Sequence, residues 1–164
     1  MILLLAACLD HDPIPGGDPE TFVAMQADFA GYLGWDRVTV GSGDTGHPDG
    51  ERAVYFSALP QGGGDAFAVG TRVVKVIPGA DIHAMVKRGG DYNTAGAVGW
   101  EWFELALATD GSPVIRWRGE VPPDGEAYGA LPGADTADTG LEVGDCNTCH
   151  AAAASNDFVH VVPL

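Results

Sequence analysis

A chain of 164 residues with 46% apolar side chains has room for one domain with a genuine core, which excludes a disordered tail. The formal net charge is −15, and the lysines are two, Lys75 and Lys87, so the basic patches that nucleic acid and anionic lipid surfaces require are missing. With 24 Gly and 11 Pro the chain should favour turns and short strands over long helices.

The first eight residues, MILLLAAC, form an apolar run ending at Cys8. The run resembles a bacterial lipobox, which implies a shortened lipoprotein signal over 1–8 with Cys8 as the lipidated residue. Only seven residues precede Cys8 and none is basic, unlike a full signal peptide, so an accidental likeness is the alternative. The run is too short to span a bilayer. Residues 9–18 (LDHDPIPGGD) read as a flexible tether carrying His11, and 19–164 as a single domain.

Asp18-Pro19-Glu20 is a helix start, with a capping Asp, Pro at the first position and an acid in the first turn. Phe22, Met25, Phe29, Tyr32 and Leu33 follow at three- and four-residue spacing and predict one helix as far as Trp35. Met25 on that stripe reads as core rather than as a metal ligand.

Strands are predicted from Arg37 to Val40 and over Arg52 to Ser57, flanking a turn-rich loop that holds His47. In Val69 to Ile77 (VGTRVVKVI), alternation puts Val73, Lys75 and Ile77 on one face and Arg72, Val74 and Val76 on the other. Lys75 therefore lies inside an apolar run, where an unpaired ammonium is costly. It is either an edge-strand guard reaching water or a lysine held against something that uses its amine.

Asp81 to Arg88 reads as the return strand, with His83, Met85 and Lys87 on one face. Gly99 to Thr109 alternates Trp100, Trp102 and Glu104 against Glu101, Phe103 and Leu105. Asp110-Gly111 signals a hairpin turn, and Val114 to Arg118 returns. Pro122 to Gly144 reads as a long loop, Ala151 to Asn156 as a short turn and Phe158 to Val162 as a closing strand, with His160 a structural residue in it.

Near the end of the chain stands CNTCH, Cys146 to His150. Two cysteines separated by two residues and followed at once by histidine read as a c-type haem attachment site. Two thiols reach the two vinyl groups of one porphyrin, and the adjacent histidine is held beneath the ring as proximal iron ligand. A disulfide between Cys146 and Cys149, or half of a zinc site, are the rival readings. A structural zinc site wants four N/S ligands, and no second paired cluster exists in the sequence.

From Tyr32 onward the chain resembles the cytochrome P-460 family and its relatives, the cytochromes c-prime-beta. Tyr32 and Trp35 match a Tyr-x-x-Trp helix end, and Arg52, Val54 and Tyr55 an Arg-x-Val-Tyr strand. Gly70, Thr71 and Lys75 match a Gly-Thr-x-x-x-Lys strand, and Val86 and Lys87 a Val-Lys pair. Cys146 to His150 and Asp157 to Val159 match CxxCH followed by Asp-x-Val.

The resemblance implies an α+β, mainly β fold: an antiparallel sheet of about five strands with one main N-terminal helix and haem packed on the sheet. The chain itself reads as at least six strands. The resemblance also implies a homodimer and one haem c, attached through Cys146 and Cys149, with His150 on the iron and an open distal side. In cytochromes P-460 the lysine at the position of Lys75 is cross-linked to the macrocycle, and such members oxidise hydroxylamine. The c-prime-beta relatives lack the cross-link and bind nitric oxide.

One position departs from the pattern. Where hydroxylamine-oxidising members carry a distal glutamate, three residues before the Val-Lys pair, this chain has His83. His83 is then a catalytic base, a sixth iron ligand, or a partner for bound gas. Arg52 is assigned to a haem propionate or to positioning beside it. Three expectations follow: a hydroxylamine-oxidising haem oxidoreductase, a nitric-oxide-binding or electron-transfer cytochrome, or an extracytoplasmic lipoprotein domain without haem. Each places the protein in the periplasm or anchored to the outer membrane. The partners expected are a small nitrogen-oxide or hydroxylamine ligand and a redox partner.

Overall fold

The computed structural model describes residues 21–41, 51–60, 66–77, 79, 82–123 and 146–161. Cys8, His11, the helix start at Asp18 to Glu20, His47 and most of the Pro122 to Gly144 loop lie outside the described residues.

Six strands form one antiparallel sheet in chain order: β1 (Asp36–Val40), β2 (Arg52–Phe56), β3 (Arg72–Val76), β4 (Ile82–Lys87), β5 (Trp100–Leu107) and β6 (Pro113–Gly119). Each strand pairs with its successor, the simplest topology short connections allow. The expected mainly β class is the class observed, with six strands rather than about five. The β5–β6 turn uses Asp110-Gly111, with Gly111 at φ 81 and the Asp110 carboxylate accepting from the Ser112 N–H at 2.9 Å.

Both faces of the sheet are covered, so β2 and β5 are buried along nearly their whole length. On one face Tyr55, Val74, Ala84 and Phe103 stand in register. The N-terminal segment covers this row through Phe29 against Phe103 (ring centroids 5.2 Å apart) and Tyr32 against Tyr55 (5.4 Å). On the other face, Phe56, Val73, Met85 and Trp102 form one cross-strand row. Val54, Lys75, His83, Glu104 and Trp117 form the next. The C-terminal segment lies over this second face, with Val159 in the same core cluster as Val54 and Trp102.

Three expectations are corrected. The N-terminal helical stripe becomes two short 3-10 turns, Gln26–Phe29 and Tyr32–Gly34. Between them Ala30 is extended and Gly31 left-handed (φ 70), which breaks any continuous helix. The break lets Phe29 and Tyr32 both reach the sheet while Met25 and Leu33 remain 58% and 66% exposed. Second, β3 pairs on both sides, so Lys75 guards no edge. Third, the Phe158 to Val162 stretch forms no strand over its described residues. Asp157 (φ 48) and Phe158 (φ 65) are left-handed, which turns the chain across the sheet face instead of along an edge. Among the described residues no helix is long and apolar enough to cross a membrane.

Candidate functional site

The CNTCH stretch opens a short helix, α1 (Cys146–Ala151), followed by a 3-10 turn, Ala154–Asn156. Residues three apart on a helix share a face, so Cys146 and Cys149 project together. Neither is in a disulfide and each is partly buried, so the disulfide reading is not realised. His150 Nδ1 lies 2.6 Å from the Phe158 carbonyl oxygen. A carbonyl only accepts, so Nδ1 carries the proton and Nε2 keeps its lone pair. The His150 ring sits against Trp102 (centroids 4.6 Å apart) and His160 (5.0 Å). Burial pushes the His150 pKa down to about 3; the Phe158 bond opposes this, and Lys75 and His160 add to it. The imidazole is therefore neutral at physiological pH.

Beneath α1 lies the Val54–Lys75–His83–Glu104–Trp117 row. Desolvation lowers the Lys75 pKa to about 7, against an upward pull from Cys149 and then Cys146, with Arg52 pushing further down. His83 is lowered to about 3, first by burial and then by Lys75. These couplings report proximity. Lys75 is close enough to Cys146, Cys149, His150, His83 and Arg52 to interact electrostatically with each. Five residues drawn from β2, β4 and α1 thus lie within electrostatic reach of Lys75 on β3. Arg52, at the start of β2, is 4% exposed. Among the described residues no three His, Cys, Asp or Glu side chains converge as a metal site.

Sequence reading missed three parts of this region. The Val86-Lys87 pair and the Asp157 to Val159 segment meet directly: Lys87 Nζ is 2.6 Å from Asp157 Oδ1, and Asp157 Oδ2 accepts from the Phe67 N–H at 2.9 Å. Lys87 also lies 5.1 Å from the centre of the Trp100 ring. The pair holds the segment that supplies the Phe158 carbonyl.

Glu104, 1% exposed, is a register partner of His83 and presents a carboxylate to the same face. A β-bulge between Glu104 and Leu105 brings two successive β6 residues onto it: Arg116 Nη1 at 2.5 Å from one oxygen and Trp117 Nε1 at 3.1 Å from the other. A charged residue in the alternating run of β5 was its only signal in the sequence.

Third, Asn147, inside CNTCH, bonds to two loops as well as to β5. No sequence signal marks this, because the spacing of Cys146, Cys149 and His150 says nothing about the residues between them. His160 departs from the structural strand role assigned to it: it is an exposed turn residue whose Nε2 lies 3.0 Å from the Cys149 carbonyl oxygen.

Comparison of the chain with protein-family models, with curated proteins and with solved structures returns no match in any of the three.

Proposed function

We propose that this protein is an extracytoplasmic mono-haem c-type cytochrome of the cytochrome P-460 kind, acting on hydroxylamine with nitric oxide chemistry. The observation that carries the reading is the state of His150. Its Nδ1 proton is committed to the Phe158 carbonyl, which leaves Nε2 as an available ligand atom beside two thiols that form no disulfide. A metal-ligating histidine needs this arrangement, since the bond at one nitrogen fixes the tautomer and the ring plane at the other.

The residues present fit the group. Cys146 and Cys149 would carry it, His150 would bind the iron, Arg52 would meet a propionate, and Lys75 would face the macrocycle. When bound, the haem supplies a redox-active iron that takes a small nitrogen ligand. The protein's own part is to hold the ring, keep His150 neutral and present Lys75 and His83 from one face of the sheet. Cys8 as a lipid anchor, a periplasmic or outer-membrane location, a redox partner and a homodimer belong to the same proposal.

One observation favours a second reading. A histidine pushed to about 3 is a far weaker proton acceptor than an ordinary imidazole, so His83 has lost the near-neutral basicity that would suit it to replace a distal base. A neutral imidazole suits a residue that lines a gas site or closes it as a sixth ligand. The protein is then a nitric-oxide-binding or electron-transfer cytochrome.

The test is expression with haem-attachment machinery, extraction with acid acetone, and spectra of the oxidised and reduced protein. Colour that stays with the protein, with a broad, red-shifted ferrous band, supports the hydroxylamine reading. Sharp low-spin bands support the second. Absence of covalent haem rejects both.

A further inference from the structure

Three N–H groups converge on a single oxygen of Asn147. Its Oδ1 accepts from Asn93 Nδ2 at 2.8 Å, from Trp102 Nε1 at 2.9 Å and from the Ala97 backbone N–H at 3.2 Å. Its Nδ2 donates to the Glu120 carbonyl at 3.1 Å. The donors fix the orientation of the amide, since the flipped form would set an NH2 group against three N–H groups. The pocket is shaped for this side chain: a Cβ on Gly96 would overlap the Asn147 amide. Asn93 is itself 1% exposed, in a left-handed conformation (φ 54), and also donates to the Trp100 carbonyl at 2.9 Å.

Helix α1 has six residues, each at least partly exposed at its surface even where, as at His150, the ring itself is largely shielded from water, and a helix that short is not stable by itself. Its pose depends on what it is bonded to. Trp102 connects the Asn147 anchor to the histidine, because its indole N–H is held by Asn147 while its ring lies against the His150 imidazole. The Phe158 carbonyl holds the other side of that imidazole.

We propose that Asn147 is a positioning residue for the iron-binding histidine: by fixing the Trp102 indole it seats the His150 ring against the Phe158 carbonyl, so that the two contacts together set the tautomer and the plane in which His150 presents Nε2. The inference rests on the haem reading for its purpose, and it is tested with and without haem.

The variants are Asn147→Ala, which removes the acceptor; Asn147→Asp, which keeps an acceptor oxygen; and Gly96→Ala, which displaces the amide while leaving Asn147 unaltered. In the haem-free full chain, NMR follows exchange of the Trp102 indole proton and the nitrogen shifts of the His150 ring, which report its tautomer. In the haem-loaded chain, the midpoint potential is measured.

Asn147→Ala and Gly96→Ala should each speed Trp102 indole exchange at least tenfold, blur the single His150 tautomer and shift the midpoint potential. Asn147→Asp should restore all three toward the parent values. Folded Asn147→Ala and Gly96→Ala proteins with unchanged indole exchange and an unchanged tautomer would overturn the proposal. A parent chain that takes up no haem rejects the haem reading alone, and the two haem-free measurements still decide whether Asn147 orients His150 through Trp102.

Discussion

Lys87 and Asp157 lie 70 residues apart in sequence and meet in a 2.6 Å ion pair that joins β4 to the segment crossing over the sheet. The two side chains are 15% and 11% exposed, so little water shares the charges. Deleting one partner leaves the other charge poorly solvated. Asp157→Asn keeps a residue that tolerates the left-handed backbone there, so it isolates the loss of charge. Asp157→Asn and Lys87→Met should each cost about 2–3 kcal/mol, somewhat below the figure for fully buried pairs. Urea unfolding of the haem-free chain measures this. The double variant should lose less than the sum of the singles; simple additivity would show that the pair contributes no coupling.

Acid should destabilise the haem-free protein through His83 and His150. Each has a folded pKa near 3 against an ordinary value of 6.5. Between those values the unfolded chain binds a proton that the folded chain refuses, so stability rises with pH across the window and is lost as pH falls through it. Each histidine contributes a slope of about 1.4 kcal/mol per pH unit there. Urea midpoints taken at intervals from pH 7 to pH 4 give the slope. His83→Gln should flatten it by about one histidine's share, and an unchanged slope would mean that His83 titrates normally in the fold.

Side-chain alternation made the strands and their faces legible. The assignment of Val73 and Lys75 to one face, and of Val74 to the other, follows from period-two geometry alone, and the two core clusters divide the same way. Register is a different matter, because no local pattern says which residue stands opposite which. Glu104 became part of the site only when pairing set it beside His83 and the bulge turned Arg116 toward it. The N-terminal stripe had helical spacing, but Gly31 and the demand that Phe29 and Tyr32 both reach the sheet outweighed it. FVHVV had strand composition and a place across a face instead of beside an edge, a tertiary choice that propensity does not contain. The spacing of Cys146, Cys149 and His150 was visible in the sequence, while the anchor at Asn147 depends on a loop fifty residues away.

The two members of the Glu104–Arg116 pair should respond unequally to deletion. Glu104 is 1% exposed, whereas the Arg116 side chain is 48% exposed and can turn to water when its partner is gone. Arg116→Ala leaves a buried carboxylate held by the Trp117 indole. That variant should lose about 3 kcal/mol, while Glu104→Gln, which removes the buried charge and keeps one acceptor oxygen for the Trp117 indole while the half-exposed Arg116 turns to water, should lose about 1 kcal/mol. Denaturant unfolding of the two variants checks the order. Equal losses would mean that Glu104 is hydrated in solution.

Lys75 offers the sharpest test of the proposed haem cross-link. A surface lysine is protonated at neutral pH, but desolvation brings this one to about 7, so a substantial share of its amine is uncharged near that pH. It is held inside the sheet by pairing on both sides, within electrostatic reach of both thiols. If that amine is joined to the macrocycle, Lys75→Ala should leave the haem attached through Cys146 and Cys149 while its ferrous absorption moves toward that of an ordinary c-type haem. Mass spectrometry of haem-bearing peptides reads the same linkage directly, since the parent should hold peptides containing residue 75 and residues 146–150 on one haem and the variant only the second. An unchanged spectrum with a single haem-bearing peptide in the parent would remove the cross-link and leave the gas-binding or electron-transfer reading in its place.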